Sequence, residues 1–286
     1  MNAITQAHLQ TFRTIDIRPL QPAIGAEISG IDLRQPLSEE QRDEIKSALL
    51  RYKVIFFRDQ DLDAAQHAAF AGRFGPLYTH PSTTRSEAIP ALHDIAATDF
   101  RKYAADRPVH AEQWDAYHTD TSWRLVPTWG AVLRAVTIPE VGGDTIWVNG
   151  ALAYDGLADE VKQRLDGLHA THDFRKALTR AGHDYPIVAH PLVRVHRETG
   201  EKILWVNFSQ DPKIIGLDQA ENRELLTKIL DQYRKPESQV RFSWKPGSIA
   251  FWDNRAAVHY AVRNYGEFPR VLNRILIADE PLYADL

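Results

Sequence analysis

Two histidines and an aspartate, His118, Asp120 and the much later His259, constrain the fold of this chain more than any other feature. Along an extended strand, side chains at positions i and i+2 point the same way, so His118 and Asp120 can reach one metal ion while Thr119 faces away. The third ligand must then arrive from a distant strand that folds alongside. Two histidines and one carboxylate make up the facial triad, which binds Fe(II) and leaves the opposite coordination positions open. A His-x-Asp pair alone is weak evidence in a chain with 12 histidines, so the prediction of an iron site depends on further residues.

Arg270, which follows His259 by eleven residues, strengthens that prediction. Iron oxygenases with this triad chelate 2-oxoglutarate through its 1-carboxylate and 2-keto oxygen, and its far carboxylate needs a partner several ångströms away. Arginine is a planar, permanently charged, bidentate partner for a carboxylate, and a nearby hydroxyl adds a further hydrogen bond. Thr145, in the run Gly142-Gly143-Asp144-Thr145, offers such a hydroxyl. The spacing therefore predicts that Arg270 and Thr145 bind 2-oxoglutarate.

Composition limits the classes of partner. A formal net charge of −4, with both signs interspersed, gives no electrostatic reason for binding nucleic acid or an anionic membrane. The absence of cysteine excludes disulfides and thiolate metal sites and fits a reducing compartment. The first 14 residues lack the apolar core of a signal peptide, and no apolar run approaches membrane-spanning length. We therefore expect a cytoplasmic protein with a small-molecule substrate.

The pattern along the chain predicts two early helices followed by many short strands. Ser38 with Gln41, and Asp63 with Gln66, are capping boxes that each open a helix. The first helix is followed by the short buried strand Val54-Ile55-Phe56-Phe57. Later strand-like runs cover residues 131–137, 192–195, 203–207, 240–242, 249–252 and 272–278. This order predicts a mainly β fold, a jelly roll with flanking helices packed on one side.

Several motifs occur together in one order along the chain: Phe57-Arg58-Asp59-Gln60, His118-Thr119-Asp120, Gly142-Gly143-Asp144-Thr145, Trp252-Asp253-Asn254-Arg255 and the series His259, Arg270, Arg274. In this order they resemble the taurine dioxygenase and 2,4-dichlorophenoxyacetate dioxygenase family, over about residues 14 to 280. The resemblance implies one domain over residues 1–286 with a double-stranded β-helix, the cupin-like jelly roll. It also implies Fe(II), 2-oxoglutarate as cosubstrate, O2, and a homo-oligomer, either a dimer or a tetramer.

The resemblance further implies a substrate pocket. His80 occupies the position that binds the sulfonate in taurine dioxygenase, and Arg274 matches the arginine that assists it. Taurine dioxygenase has polar groups near the substrate amine where this chain has Thr83 and Trp114, and it has a phenylalanine where this chain has Leu178. A pocket that keeps partners for an anion but loses those for an amine favours a small organic anion other than taurine. We expect a sulfonate, a sulfate ester or an aryloxy or alkyl carboxylate with an apolar or aromatic remainder.

Two polar stretches, residues 98–113 and 175–189, are interpreted as lid loops over this pocket or as ordinary surface loops. The expected reaction is hydroxylation of the substrate with release of succinate and CO2. A family member of specialised metabolism that hydroxylates, desaturates or cyclises an amino-acid-derived or other natural product would have the same iron site and remains an alternative. A non-catalytic jelly-roll binding protein is a remote alternative, because the intact ligands and Arg270 argue against it.

Overall fold

Short strands dominate the computed structural model, which describes residues 12–81, 89–97 and 117–279. In chain order, the strands of these ranges are β1 (Asp16–Pro19), β2 (Ala26–Ser29), β3 (Val54–Phe57), β4 (Leu77–Tyr78), β5 (His93–Ala97), β6 (Gly130–Thr137), β7 (Thr145–Asn149), β8 (His169–His172), β9 (Val188–Pro191), β10 (Val193–Val195), β11 (Lys202–Leu204), β12 (Gln239–Phe242), β13 (Ile249–Asp253), β14 (Ala257–Ala261) and β15 (Arg270–Ile277). The helices are α1 (Glu39–Tyr52), α2 (Ala64–Gly72), α3 (Gly150–Asp155), α4 (Asp159–Leu165), α5 (Arg175–Arg180) and α6 (Gln219–Tyr233), with short 3-10 turns at Phe208–Gln210 and Pro236–Ser238.

The strands form a large sheet and a smaller one. The large sheet has the order β1-β2-β3-β13-β6-β15-β4, and β5 also pairs with β15. The smaller sheet has the order β12-β7-β14, and the pairs β8-β9 and β10-β11 stand apart. All of these pairs are antiparallel except β2-β3. The central core draws on both sheets, with Phe56 and Leu133 from the large one and Trp147 and Phe242 from the smaller one. Two facing sheets with a shared apolar interior confirm the predicted jelly roll.

Helices cover the outer faces of both sheets. Strand residues alternate between the two faces of a sheet, so Ile55 and Phe57 of β3 point away from the central core. They pack against Ile45 of α1 and Phe70 of α2. A third cluster joins α6 to the outer face of the smaller sheet. Helices therefore pack on both sides of the jelly roll, whereas the sequence had predicted one.

The start of each early helix confirms the predicted caps. The Ser38 side chain accepts a hydrogen bond from the Gln41 backbone, and the Gln41 side chain returns one to the Ser38 backbone. Asp63 and Gln66 make the same reciprocal pair at the start of α2. No helix within the described ranges is long and apolar enough to span a bilayer.

One of the two predicted lid stretches contains regular structure. Residues 175–189 were expected to be a loop, but the structure forms α5 at Arg175–Arg180 and begins β9 at Val188. The other stretch, residues 98–113, lies outside the described residues.

Candidate active site

The three predicted metal ligands lie together. One potential ligand atom from each of His118, Asp120 and His259 falls within 4.8 Å of the other two. His118 and His259 form an isolated antiparallel bridge, in which each backbone N–H donates to the carbonyl of the other at 2.9 and 2.8 Å. Their ring centroids are 4.0 Å apart. The structure therefore brings the two histidines together through β14, as the sequence had predicted for a distant neighbouring strand.

Asp120 reaches this cluster from a turn, so the prediction of a continuous strand through His118 and Asp120 is wrong. The chain turns at Thr121, which has a left-handed backbone (φ 54°), and the Arg124 N–H donates to the Thr121 carbonyl at 2.9 Å. Asn254 fixes the turn: its side-chain oxygen accepts from the Asp120 N–H at 2.8 Å, and its amide donates to the Asp120 carbonyl at 2.8 Å. The motif Trp252-Asp253-Asn254-Arg255 thus positions one ligand directly.

The Asp120 carboxylate has two different environments. Its Oδ1 accepts a hydrogen bond from Nη1 of Arg274. Its Oδ2 is buried and has no hydrogen-bond partner among the described residues, and the same holds for Nδ1 of His259. A buried carboxylate oxygen without a donor is costly unless a cation lies beside it. Two neutral imidazoles and one carboxylate are also the donor set that non-haem Fe(II) uses, so these residues fit the metal.

The protonation states of the cluster suit metal binding. Burial, with His118 nearby, holds the pKa of His259 well below its ordinary value, so its ring is neutral. Burial raises the pKa of Asp120, but Arg274 and the neighbouring histidines lower it more, and the net direction is downward. The aspartate is therefore ionised while the histidine keeps a lone pair for a metal.

Arg270 and Thr145 meet close to the cluster. Arg270, which is 4% exposed, donates from Nε to the Gly143 carbonyl at 2.9 Å and from Nη2 to Thr145 Oγ1 at 3.3 Å. Gly143 has a positive φ of 73°, and a Cβ there would lie 3.1 Å from Cδ of Arg270, so the arginine packs where only glycine fits. Burial lowers the pKa of Arg270 from its ordinary value, although guanidinium remains protonated at neutral pH. Three of its five N–H groups remain for another acceptor.

The strand register sets the distance between these two groups. On β7 and β14, His259 lies opposite Trp147, and Ala261 lies opposite Thr145. Thr145 is thus two residues, about 7 Å, along the strand pair from the level of His259. A short dicarboxylate matches that separation.

Arg274 contacts both Asp120 and His93, and His93 lies beside His80. Nη2 of Arg274 lies 3.1 Å from Nδ1 of His93, which faces it on β5, and the His93 ring centroid is 5.6 Å from that of His80. Burial, then Arg274, lowers the pKa of His80 to about 3 and that of His93 to about 4. Of the predicted anion partners, Arg274 is therefore a cation already paired with Asp120, and His80, like the neighbouring His93, is a neutral imidazole. His93 was not among the predicted site residues; only the tertiary pairing of β5 with β15 reveals it.

Aromatic side chains surround His80. The ring centroids of Trp123 and Phe174 lie 5.6 and 6.1 Å from His80, and Tyr185 stands edge-on to Trp123 at 4.8 Å. Leu178 is buried on α5, four residues after Phe174 and so on the same side of the helix. The sequence analysis did not predict this aromatic cluster. Trp123, only three residues after the predicted ligand Asp120, could have indicated an aromatic side chain close to the site.

Two predicted pocket residues, Thr83 and Trp114, lie outside the described residues. The segment after α5 does contact the segment after His80, because Nε2 of His183 lies 3.1 Å from the Pro81 carbonyl oxygen. The 175–189 stretch therefore lies beside the histidine and aromatic cluster.

Comparison with known proteins shows a family-wide likeness. The model of the "Taurine catabolism dioxygenase TauD, TfdA family" matches residues 16–276. An alpha-ketoglutarate-dependent sulfate ester dioxygenase of Pseudomonas putida is 31% identical, covering 93% of this chain and 90% of the relative. An (S)-phenoxypropionate/alpha-ketoglutarate-dioxygenase of Sphingobium herbicidovorans is 30% identical, covering 93% and 96%. The crystal structure of a taurine dioxygenase from Burkholderia xenovorans superposes with a TM-score of 0.81 at 37% identity, covering 96% of this chain and 94% of that one.

Proposed function

The chain belongs to the TauD, TfdA family and is an alpha-ketoglutarate-dependent dioxygenase, an oxidoreductase that uses Fe(II) and O2; on that premise we propose that it hydroxylates a small organic anion other than taurine. Succinate and CO2 are the products of the cosubstrate. The observation that carries the proposal is the cluster of half-buried His118 with buried Asp120 and His259, about 7 Å along the strand pair from the Thr145–Arg270 contact.

His118, Asp120 and His259 are the proposed ligands of one Fe(II), which when bound supplies the activation of O2 and of the chelated 2-oxo acid. The protein's part is placement. Asn254 holds the backbone of Asp120, Arg274 holds Oδ1, and Oδ2 is left for the metal. The His118–His259 bridge sets the relative position of the two rings.

Arg270 and Thr145 are the proposed partners of the distal carboxylate of 2-oxoglutarate. Both are buried, so the charge-assisted hydrogen bonds form away from water, where they are strong. The Nε contact with Gly143 and the Nη2 contact with Thr145 fix the guanidinium plane and leave the remaining N–H groups for the ligand.

His80 and Arg274 are the proposed partners of the substrate's anionic head group. Nε of Arg274 is buried without a hydrogen-bond acceptor among the described residues, so it has a donor to offer. His80 can add a neutral N–H rather than a second positive charge. Trp123, Phe174 and Leu178 would face an apolar or aromatic tail. Thr83 and Trp114 are also proposed substrate contacts, supported only by the resemblance to taurine dioxygenase.

Three further proposals accompany this function. We propose that residues 1–286 form one catalytic domain, that the stretches 98–113 and 175–189 are lids, and that the protein works in the cytoplasm as a dimer or tetramer. The His183 contact with the segment after His80 supports the second lid. Light scattering coupled to size-exclusion chromatography would test the oligomer.

The proposal is tested by measuring succinate formation from 2-oxoglutarate in the presence of Fe(II). The substrate panel contains sulfonates, sulfate esters, aryloxyalkanoates and amino acids. Anions with apolar tails should give the highest coupled turnover. If taurine or an uncharged compound is the best substrate, the proposed pocket is wrong although the iron site stands. The relatives reported above give no support to the natural-product alternative, and iron-dependent succinate formation would exclude the non-catalytic one.

A further inference from the structure

Thr145 Oγ1 is contacted by two donors at once. Nη2 of Arg270 lies 3.3 Å away, and Nε1 of Trp244, which follows β12, lies 3.0 Å away. Trp244 played no part in the sequence-based prediction of the site. Its indole is buried and packs edge-on against Phe242 at 5.1 Å, with Trp147 at 6.3 Å.

The direction of the Thr145 hydroxyl proton follows from counting donors and acceptors. Indole and guanidinium nitrogens donate hydrogen bonds and cannot accept them. A hydroxyl has two acceptor lone pairs and one O–H. With both lone pairs occupied by Trp244 and Arg270, the proton must point in the one direction that remains. Among the described residues the Thr145 side chain accepts two hydrogen bonds and donates none.

We infer that Trp244 is a positioning residue that commits the Thr145 hydroxyl to donate to the distal carboxylate of 2-oxoglutarate; the inference rests on the proposed function of this site. Without the indole N–H, the hydroxyl can rotate, and a lone pair can face the carboxylate instead of the proton. A hydroxyl lone pair would then face a carboxylate oxygen in a buried site, with no proton between them. The Trp244 N–H prevents the orientation in which a hydroxyl lone pair faces the carboxylate. The Thr145 donor is therefore pre-organised before 2-oxoglutarate binds.

The indole suits this role because it is held rigidly and has a single polar group. Phe242, which packs on Trp244, is itself stacked on Phe56 at 4.0 Å between the two sheets. A residue such as glutamine or serine at position 244 could accept as well as donate, and would not fix the hydroxyl proton. Phenylalanine keeps an aromatic ring but is smaller than indole, so Trp244→Phe removes the N–H together with part of the packing, and the Thr145→Val background is needed to separate the two effects.

The test is calorimetric titration of the Mn(II)-loaded full-length protein with N-oxalylglycine, in which an NH replaces one CH2 of 2-oxoglutarate. Trp244→Phe should weaken binding by about three- to tenfold, and Thr145→Val, which removes the donor entirely, by about tenfold or more. In the Thr145→Val background, adding Trp244→Phe should change the affinity by less than about twofold, because the indole then has no hydroxyl to orient. An equal effect in both backgrounds would mean that Trp244 acts by packing and would overturn the inference.

Two controls make the outcome specific. Oxalate chelates the metal in the same way but has no distal carboxylate, so its affinity should be the same for Trp244→Phe and the unaltered protein; a parallel loss would overturn the inference. If Trp244→Phe does not fold, Thr145→Ser decides: the serine hydroxyl, held by the same two donors, should bind N-oxalylglycine within about twofold of the unaltered protein. A tenfold loss would overturn the inference. If the unaltered protein fails to bind N-oxalylglycine at all, the proposed function fails with it, whereas binding that ignores Trp244→Phe removes only this inference.

Discussion

Replacement of Arg270 by methionine tests the cosubstrate site most directly. Methionine keeps much of the buried volume and removes all five N–H donors. Two of those donors bond to Gly143 and Thr145, which leaves the rest for the distal carboxylate of 2-oxoglutarate. A bidentate contact comprises two charge-assisted hydrogen bonds at about 1.5–3 kcal/mol each. Allowing for imperfect geometry, the loss should be about 2–5 kcal/mol.

That free energy corresponds to an increase of at least about 30-fold in KM for 2-oxoglutarate. The KM for the primary substrate should change much less, because its proposed partners are His80 and Arg274. Succinate formation measured at varied 2-oxoglutarate, with the organic substrate saturating, gives the first constant, and the reverse design gives the second. The fold of each variant is checked by thermal unfolding.

Arg241→Ala is the matched control. Arg241 bonds to Asp144, between Gly143 and Thr145, but its side chain is 53% exposed and faces solvent. Removing its charge should leave the KM for 2-oxoglutarate within about twofold, because Arg241 contacts neither Arg270 nor the Thr145 side chain and solvent screens its half of the ion pair. If Arg270→Met has a KM for 2-oxoglutarate within about threefold of the unaltered enzyme, the distal carboxylate binds elsewhere. If both variants lose affinity equally, the effect comes from the Gly142–Thr145 segment rather than from the guanidinium.

Three further outcomes are expected. His259→Ala should lose Fe(II) binding in a calorimetric titration and should lose turnover. If the variant has normal affinity for Fe(II), the assignment of His259 as a ligand is wrong. His93→Leu should raise KM about five- to tenfold for the best anion of the panel and leave KM for 2-oxoglutarate within about twofold, because Arg274 then loses the Nδ1 acceptor that positions its guanidinium; equal changes in both constants would contradict this. Burial lowers the pKa of His172 to about 3 and that of His190 to about 4. As the pH falls below about 6.5 the unfolded chain therefore binds these protons first, and these two residues together should lower the free energy of unfolding by about 2 kcal/mol per pH unit between pH 6 and pH 4.5, with His80 and His93 adding in the same direction. Urea unfolding at several pH values would show it, and a flat profile would refute it.

Local patterns in the sequence were sufficient for some elements and not for others. The capping boxes at Ser38 and Asp63 were predictable because both partners lie within four residues. Strand β7 (Thr145–Asn149) was not among the predicted strands, although it carries Thr145. Its residues Ile146, Trp147 and Val148 form a continuous apolar run, because the sheet is covered on both faces and the strand shows no alternation.

The site shows the same division. The three ligands and Arg270 could be predicted because the chemistry requires those residue types at a recognisable spacing. His93 and Trp244 could not, since each acts on a residue more than 90 positions away, through strand pairing or packing that no local pattern encodes. The turn at Asp120 could not be predicted either, because it depends on hydrogen bonds with Asn254, 134 residues away in the sequence.

The charges of the site offer an independent reason to expect an anionic substrate. Asp120 and Arg274 cancel, and His80 and His93 are neutral because burial lowers their pKa values to about 3 and about 4. Bound Fe(II) and the 2-oxoglutarate dianion would also cancel. The buried carboxylate of Asp144 acts on Arg270 but is already paired with Arg241, so one positive charge remains. A singly charged anion completes the balance. A neutral compound would leave one net positive charge among these buried groups, and an uncompensated buried charge is costly. The charge balance therefore supports the proposed anionic head group, whereas discrimination against taurine depends on the residues near the substrate tail.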